Sequence, residues 1–273
     1  MKLWKVRFRK WMLYVLLSLL GLFVVGLGLW IHHQKQRVII RQIQQQGGWV
    51  GVDEPRGPEW LRNMLDEDVF AHDEDVLGVT LYERAGDDIL ERLHRLPNLV
   101  TVQLLNTAVT DQGVKHIAKV SRLYRLTFFS TKISDSQLRH LKAISTLHTL
   151  QIVRTNLDGS GLEHVQELPS LRKLYLDGTD TNDAALQHVG RMSRLECLSL
   201  DETKITSRGL HHITGLKNLQ RLYLNETMID DEAIDILLKL TRLEFLFVDE
   251  TRITKAGMRR LKNGLPGCSI GYE

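Results

Sequence analysis

Five histidines, His116, His140, His164, His188 and His212, recur at intervals of 24 residues. Imidazole is the commonest metal ligand in proteins, so the series invites a metal stripe. Such a site needs two or more ring nitrogens within about 2.1 Å of one ion. One histidine per 24 residues, on helical elements whose axes pack about 8–10 Å apart, does not converge that way. The series also gives way to Ile236 and Arg260. The acidic runs Asp66-Glu67-Asp68 and Asp73-Glu74-Asp75 lack the ligand spacing and central glycine of a calcium loop and read as solvated surface. There is no H-E-x-x-H, G-x-S-x-G, phosphate loop or dinucleotide fingerprint. The residue types thus point away from catalysis and call for no metal and no cofactor.

The interval that spaces the histidines also spaces the leucines. Leu99, Leu123, Leu147, Leu171, Leu195, Leu219 and Leu243 each open a copy of one 24-residue unit, with no insertion between them. A fixed period in this range marks a solenoid. In the copy Leu195–Asn218, Leu198 and Leu200 alternate with polar residues, the period of a strand with one buried face. Leu210, Ile213 and Leu216 then recur every three residues, the spacing of a short amphipathic helix or helical turn. Just before it lies a candidate N-cap: Thr110, Ser134, Asp158, Asn182, Thr206, Asp230 and Thr254 in the seven copies. Each can accept a hydrogen bond from a first-turn N–H, worth about 1 kcal/mol. A strand and a helix cannot bury their own apolar faces, but stacked copies can. One parallel sheet is expected on the inner wall and helices on the outer wall.

The opening L-x-x-L-x-L-x-x-T resembles the leucine-rich repeat, L-x-x-L-x-L-x-x-N/C-x-L, over residues 76–273. The resemblance implies an α/β leucine-rich-repeat solenoid, a curved horseshoe with its parallel sheet on the concave face. The chain departs from the family at the asparagine slot, which holds Thr107, Thr131, Thr155, Thr179, Thr203, Thr227 and Thr251. In the family that asparagine bonds backbone between coils, so the shorter threonine implies a weaker ladder of the same kind. Repeats with this threonine and a T-x-I-T-D-like turn look like those of membrane-anchored leucine-rich-repeat proteins of planctomycete-type bacteria.

The N-terminal stretch is a different physical object. Residues 1–10 carry Lys2, Lys5, Arg7, Arg9 and Lys10, and Trp11–Ile31 then runs without a charge. That length suits a helix crossing the ~30 Å hydrocarbon core, with Trp11, Tyr14 and Trp30 near its ends. A cleaved signal peptide is the competing reading, but the run is long and no A-x-A-like site follows. The basic excess before the span predicts a cytoplasmic tail at 1–10, a signal anchor at 11–31 and an exported remainder, periplasmic or extracellular. Residues 32–75 read as a linker and cap. They contain a strand at Trp49–Val52, a helix over Glu59–Leu65, and Trp49, Trp60, Leu61 and Leu65 buried against the first coil. An irregular first coil (76–98), seven regular repeats (99–266) and an edge strand (267–273) complete the division.

The net charge of +3 hides that split. Residues 1–41 hold eight Lys/Arg and no acid, leaving 28 basic against 33 acidic residues in 42–273. A solenoid of net −5 is a poor nucleic-acid binder, because that affinity rests on neutralising phosphates. Two cysteines, Cys197 and Cys268, fall three coils apart, about 14 Å, too far to bridge.

The inner wall is where a ligand would sit. Its first lane reads Thr101, Arg125, Thr149, Lys173, Cys197, Arg221, Phe245. The second reads Gln103, Thr127, Gln151, Tyr175, Ser199, Tyr223, Phe247, and the third Leu105, Phe129, Val153, Asp177, Asp201, Asn225, Asp249. Tyr175, Tyr223, Phe245 and Phe247 are large groups where a solenoid has no core to fill, and aromatics with Arg are the usual anchors of a protein interface. A protein or peptide ligand is expected there, with Lys173, Arg221, Asp177, Asp201, Asn225 and Asp249 setting its charge preference. Two other readings stay open: a cell-envelope scaffold without a dedicated ligand, and an adaptor for a degradation machine.

Overall fold

A computed structural model describes residues 2–52 and 76–271; the side chains of 2–15, 19, 22, 26, 29–33 and 52 fall outside the description. Helix α1 (Lys2–Gln45) stops where Gly47 takes φ 79°, a left-handed conformation that glycine adopts without steric cost. Strand β1 (Trp49–Val52) runs antiparallel to β2 (Val76–Leu81). Eight further strands follow in parallel: β3 (Thr101–Leu105), β4 (Arg125–Phe129), β5 (Thr149–Val153), β6 (Lys173–Tyr175), β7 (Cys197–Ser199), β8 (Arg221–Tyr223), β9 (Phe245–Phe247) and β10 (Ser269–Gly271). Their order in the sheet is their order in the chain.

The register repeats the sequence period. Leu126, Leu150, Leu174, Leu198, Leu222 and Leu246 lie opposite one another on successive strands. All six are fully shielded from solvent. At about 25 cal/mol per Å², burying one leucine stabilises by roughly 2 kcal/mol, and only stacking supplies the partners. The return arm mixes short α-helices, such as Asp111–Ile117 and Lys255–Gly264, with 3₁₀ segments, such as Asp135–Ala143 and Gly209–Ile213. The three-residue apolar spacing suits 3₁₀ geometry, in which side chains at i and i+3 eclipse. Six of the seven cap residues accept from a backbone N–H two or three residues on. Ser134 forms a capping box with Gln137, its own N–H donating to Gln137 Oε1 at 2.8 Å.

A longer period lies on top of the 24-residue one. Asp87, Asp135, Asp183 and Asp231 fall 48 residues apart, and Gly113, Gly161, Gly209 and Gly257 do the same. Asp183 accepts from the N–H of Thr206 at 2.8 Å and from its hydroxyl at 2.6 Å, gripping the next coil's cap. Asp231 grips Thr254 at 2.9 and 2.7 Å. Asp135 takes the Gly161 N–H at 2.8 Å, and Asp87 takes the Thr110 hydroxyl. A Cβ on Gly209 or Gly257 would come within 2.3 or 2.2 Å of the gripping carboxylate, so the glycine makes room for it. In alternate coils, from Asp87 on, the acid faces such a glycine; in the coils between, the same slot holds Asp111, Gly159 and Ser207.

The threonine ladder differs from the expectation. Thr179, Thr203 and Thr227 donate to the carbonyls of Leu176, Leu200 and Leu224 at 2.6, 2.5 and 2.6 Å, three residues back in their own coil. The hydroxyl is too short to reach the next coil. In the early coils the buried hydroxyls of Thr107, Thr131 and Thr155 find no partner among the described residues.

Trp49 is 60% exposed and not part of a buried cap. Alternation along β1 turns it, with its register partner Thr80, to the wall side, where its ring covers Gly51. Ile39 and Ile43 of α1 cover the first coil instead. The helix over Glu59–Leu65, with Trp60, Leu61 and Leu65, lies outside the described residues. So do many side chains of Trp11–Ile31, including Trp11, Tyr14 and Trp30. Among the described residues no helix is long and apolar enough to cross a membrane.

Candidate functional site: the inner wall

Parallel pairing sets the inner-wall rows. Lys173, Cys197, Arg221 and Phe245 lie opposite one another, as do Tyr175, Ser199, Tyr223 and Phe247. The Tyr223 and Phe247 rings stack at 4.9 Å with planes 2° apart. The Arg221 guanidinium sits 5.8 Å from the centre of the Phe245 ring, a cation–π contact worth about 0.5–1 kcal/mol at a wet site. Phe245 remains 38% exposed although Leu246 beside it is fully shielded. Beyond β9, Gly271 leaves space that the Phe247 ring occupies.

Tyr175 closes the upper end of the patch. Its hydroxyl lies 3.5 Å from Cys197 Sγ. Burial first, then the Cys197 contact, pushes the Tyr175 hydroxyl above its usual range. Burial likewise raises the Cys197 thiol. A protonated thiol is a poor nucleophile, so Cys197 packs and does not react. Both cysteines are free.

The acidic lane does two things. Asp177 accepts from the Ser199 hydroxyl and, at 3.2 Å, from the Asp201 N–H. Asp201 takes the Asn225 N–H at 2.7 Å and its side-chain amide at 3.2 Å, and Asn225 takes the Asp249 N–H at 2.8 Å. This is the inter-coil ladder that the threonine slot lacks, moved to the strand ends. Desolvation raises Asp177 above the ordinary carboxylate range and lifts Asp201 to about 6. Asp249 Oδ1 is buried without a partner among the described residues. The acids therefore spend much of their hydrogen-bonding capacity on the backbone.

Beside that lane runs a row of backbone strain. Asn106, Ser130, Arg154, Glu202, Glu226 and Glu250 hold φ between 50° and 54°, with Gly178 at 62° completing the series. For a non-glycine residue this conformation costs about 1–2 kcal/mol. Glu202, Glu226 and Glu250 are exposed and adjoin the acidic end of the wall.

Tyr223, Phe245 and Phe247, named from the sequence, lie side by side on the wall, whereas the ladder was not foreseen. The signal for it was present: Asp, Asp, Asn, Asp at one slot reads as an acceptor series as well as a charge series. The recurrent histidines do not converge. His140 Nε2 meets Asp111 at 3.0 Å and His188 Nδ1 meets Gln166 at 3.3 Å. No cluster of three or more His, Cys, Asp or Glu side chains able to hold a metal occurs among the described residues.

No family model matches this chain, and no curated protein matches it. Solved structures do. It is similar to an internalin C2 of Listeria monocytogenes at 16% identity and a TM-score of 0.55, over 72% of this chain and 81% of that one. An internalin, inlF, of the same organism matches at 21% identity and a TM-score of 0.52, over 67% of this chain. The chain spans about half the length of that protein, 56%. A leucine-rich-repeat protein of Leptospira interrogans matches at 19% identity and a TM-score of 0.46, over 66% of this chain and 50% of that one. The likeness to the two internalins, with the ten-stranded sheet in chain order, establishes the fold: a leucine-rich-repeat solenoid.

Proposed function

We propose that this solenoid is a membrane-anchored interaction module that captures a protein or peptide on its inner wall. The observation that carries the reading is the stacked Tyr223–Phe247 pair beside Phe245 and Arg221. These large groups lie on the sheet face opposite the core, and Phe245 stays 38% exposed there although the leucines already fill the core. Rigid aromatics lose little side-chain entropy on binding, and Arg221 already lies against the Phe245 ring, which suits them as anchors. Lys173 and Tyr175 extend the patch toward the N-terminal coils. Asp249 and the neighbouring Glu226 and Glu250 give its far end negative charge, while Asp177, Asp201 and Asn225 hold the wall's shape. No turnover is part of this reading.

The anchor rests on the uncharged run Trp11–Ile31. On α1, Leu16, Leu17, Leu20, Phe23, Val24 and Val25 are all exposed, a distribution around the helix that water does not favour and acyl chains do. We assign the basic tail to the cytoplasm and the solenoid to the exported side. The resemblance of the repeats to those of planctomycete-type anchored proteins belongs to this proposal too.

The test is capture from envelope extract by the full chain and by Tyr223→Ala/Phe247→Ala, with circular dichroism to confirm that the variant folds. A partner retained by the parent chain and lost by the folded variant supports the reading. Equal capture by both refutes it. Alkaline extraction of membranes is expected to leave the chain in the pellet; its release would remove the anchor.

A further inference from the structure

The wall carries a second feature, at the opposite corner from the aromatic patch. Tyr124 and His148 precede β4 and β5 at the same slot of neighbouring coils. Their rings stack at 4.5 Å and 15°, and Tyr124 is 46% exposed. With Arg122 and Arg172 they line a cleft of ≈ 710 Å³. Arg125 and Lys173 stand at the adjoining strand starts, one residue on from Tyr124 and Arg172. Four cations thus gather around one aromatic floor in a solenoid whose net charge is negative. Arg172 meets Glu196 at 3.4 Å and Arg122 donates to Asn98. Neither Arg125 nor Lys173 has an ion-pair partner among the described residues.

We propose that this cleft is an anion subsite that takes the side-chain carboxylates of an acidic peptide segment. The cations form two groups, Arg122 and Arg125 flanking Leu123 and Arg172 and Lys173 following Leu171, two strand steps or about 10 Å apart at ~4.8 Å per step. A compact dianion cannot touch both ends of that row. Successive carboxylates on an extended chain can, since residues three apart lie about 10 Å apart. The subsite joins the aromatic patch through Lys173. From β5 to β9 is four strand steps, about 19 Å, which an extended chain covers in about six residues. The ligand so defined has an apolar anchor and an acidic segment about six residues apart. That pairing rests on the reading of the inner wall as a peptide site; the anion subsite stands on its own cations.

His148 supplies a readout. Burial, and then repulsion from Lys173, Arg172 and Arg125 against the opposing pull of Glu196, hold its imidazole below the ordinary range. Its other facing groups are the Tyr124 ring and the Thr149 hydroxyl. A seated carboxylate offsets those repulsions, so binding draws a proton onto His148 and tightens as pH falls.

The probe is fluorescein-labelled hexaglutamate, read by anisotropy on the full chain in detergent at low salt. Expected are saturable binding, a loss of tenfold or more in Arg122→Gln/Arg172→Gln, and retention in Arg122→Lys/Arg172→Lys. Affinity should rise from pH 7.5 to 5.5 in the parent chain and more weakly in His148→Gln. No binding, equal binding by the Gln variant, or displacement by inorganic phosphate at lower concentration than by free hexaglutamate would each overturn the assignment. The Tyr223→Ala/Phe247→Ala chain should bind hexaglutamate unchanged, which separates failure of this subsite from failure of the aromatic patch.

Discussion

Gly209→Ala is the substitution on which propensity and structure disagree in sign. Gly209 begins a helical segment with ordinary backbone angles, where alanine is favoured by about 1 kcal/mol. The alternating clamp says otherwise. The new Cβ would stand 2.3 Å from Asp183 Oδ1 and 3.0 Å from Asp183 Cα, too close for either to stay. The carboxylate must swing out and give up its bonds to the Thr206 N–H and hydroxyl, at 2.8 and 2.6 Å. Bonds to a charged acceptor are worth about 1.5–3 kcal/mol each when buried, and these are half-buried, so the pair contributes about 3 kcal/mol. Net of the propensity gain, Gly209→Ala should destabilise by about 2 kcal/mol. Guanidinium unfolding, followed by circular dichroism, measures it. In an Asp183→Ala background the clamp is already gone, and the same substitution should cost clearly less, the 3.0 Å approach to the Cα at position 183 being what remains. Additive effects in that double-mutant cycle, or a stabilised single variant, would refute the clamp.

Three further outcomes follow from the wall and its supports. Glu226→Gly relieves a left-handed backbone at φ 53° and should stabilise by about 0.5–1 kcal/mol, read by thermal unfolding, while weakening a cationic ligand if the row of acids binds one. Asp201, lifted to about 6 by desolvation, binds a proton more tightly folded than unfolded, so its contribution is fully present below about pH 4 and is lost as pH rises through 6. Asp201→Asn keeps an acceptor for the Asn225 N–H, and should flatten that slope and gain about 1 kcal/mol at pH 7 after allowing for solvent screening. Thr131→Val and Thr227→Val should differ: the first removes a buried hydroxyl with no partner among the described residues and is neutral or stabilising. The second loses a 2.6 Å bond to Leu224 and costs about 1 kcal/mol.

The strands were legible because leucine alternation admits one inward face, and Leu126 through Leu246 all fill it. The caps were legible because Ser, Thr, Asp and Asn at one slot have a single local use. Relations between coils were less so. Treating the seven copies as identical hid the Asp183–Gly209 alternation, which appears only when the slots are compared two coils apart. The hydroxyl of Thr203 was assigned the asparagine's task, but reach decides that role, and Asp177 and Asp201 perform it from the strand ends. Trp49 was read as buried from its size, although its position in β1 turns it to the wall. Tyr124 and His148 were missed because they precede the strands. Scanning that slot would have shown Tyr, His and Arg in three successive copies.

The clamp's two-coil rhythm restricts how such a molecule can change length. Excising residues 171–218 would leave every gripping aspartate opposite a glycine, and the splice would pass unnoticed by the stack. Excising only 171–194 would set Gly159 against Gly209 and leave a seam with neither acid nor grip. Excising that single module should therefore betray itself as a soft joint.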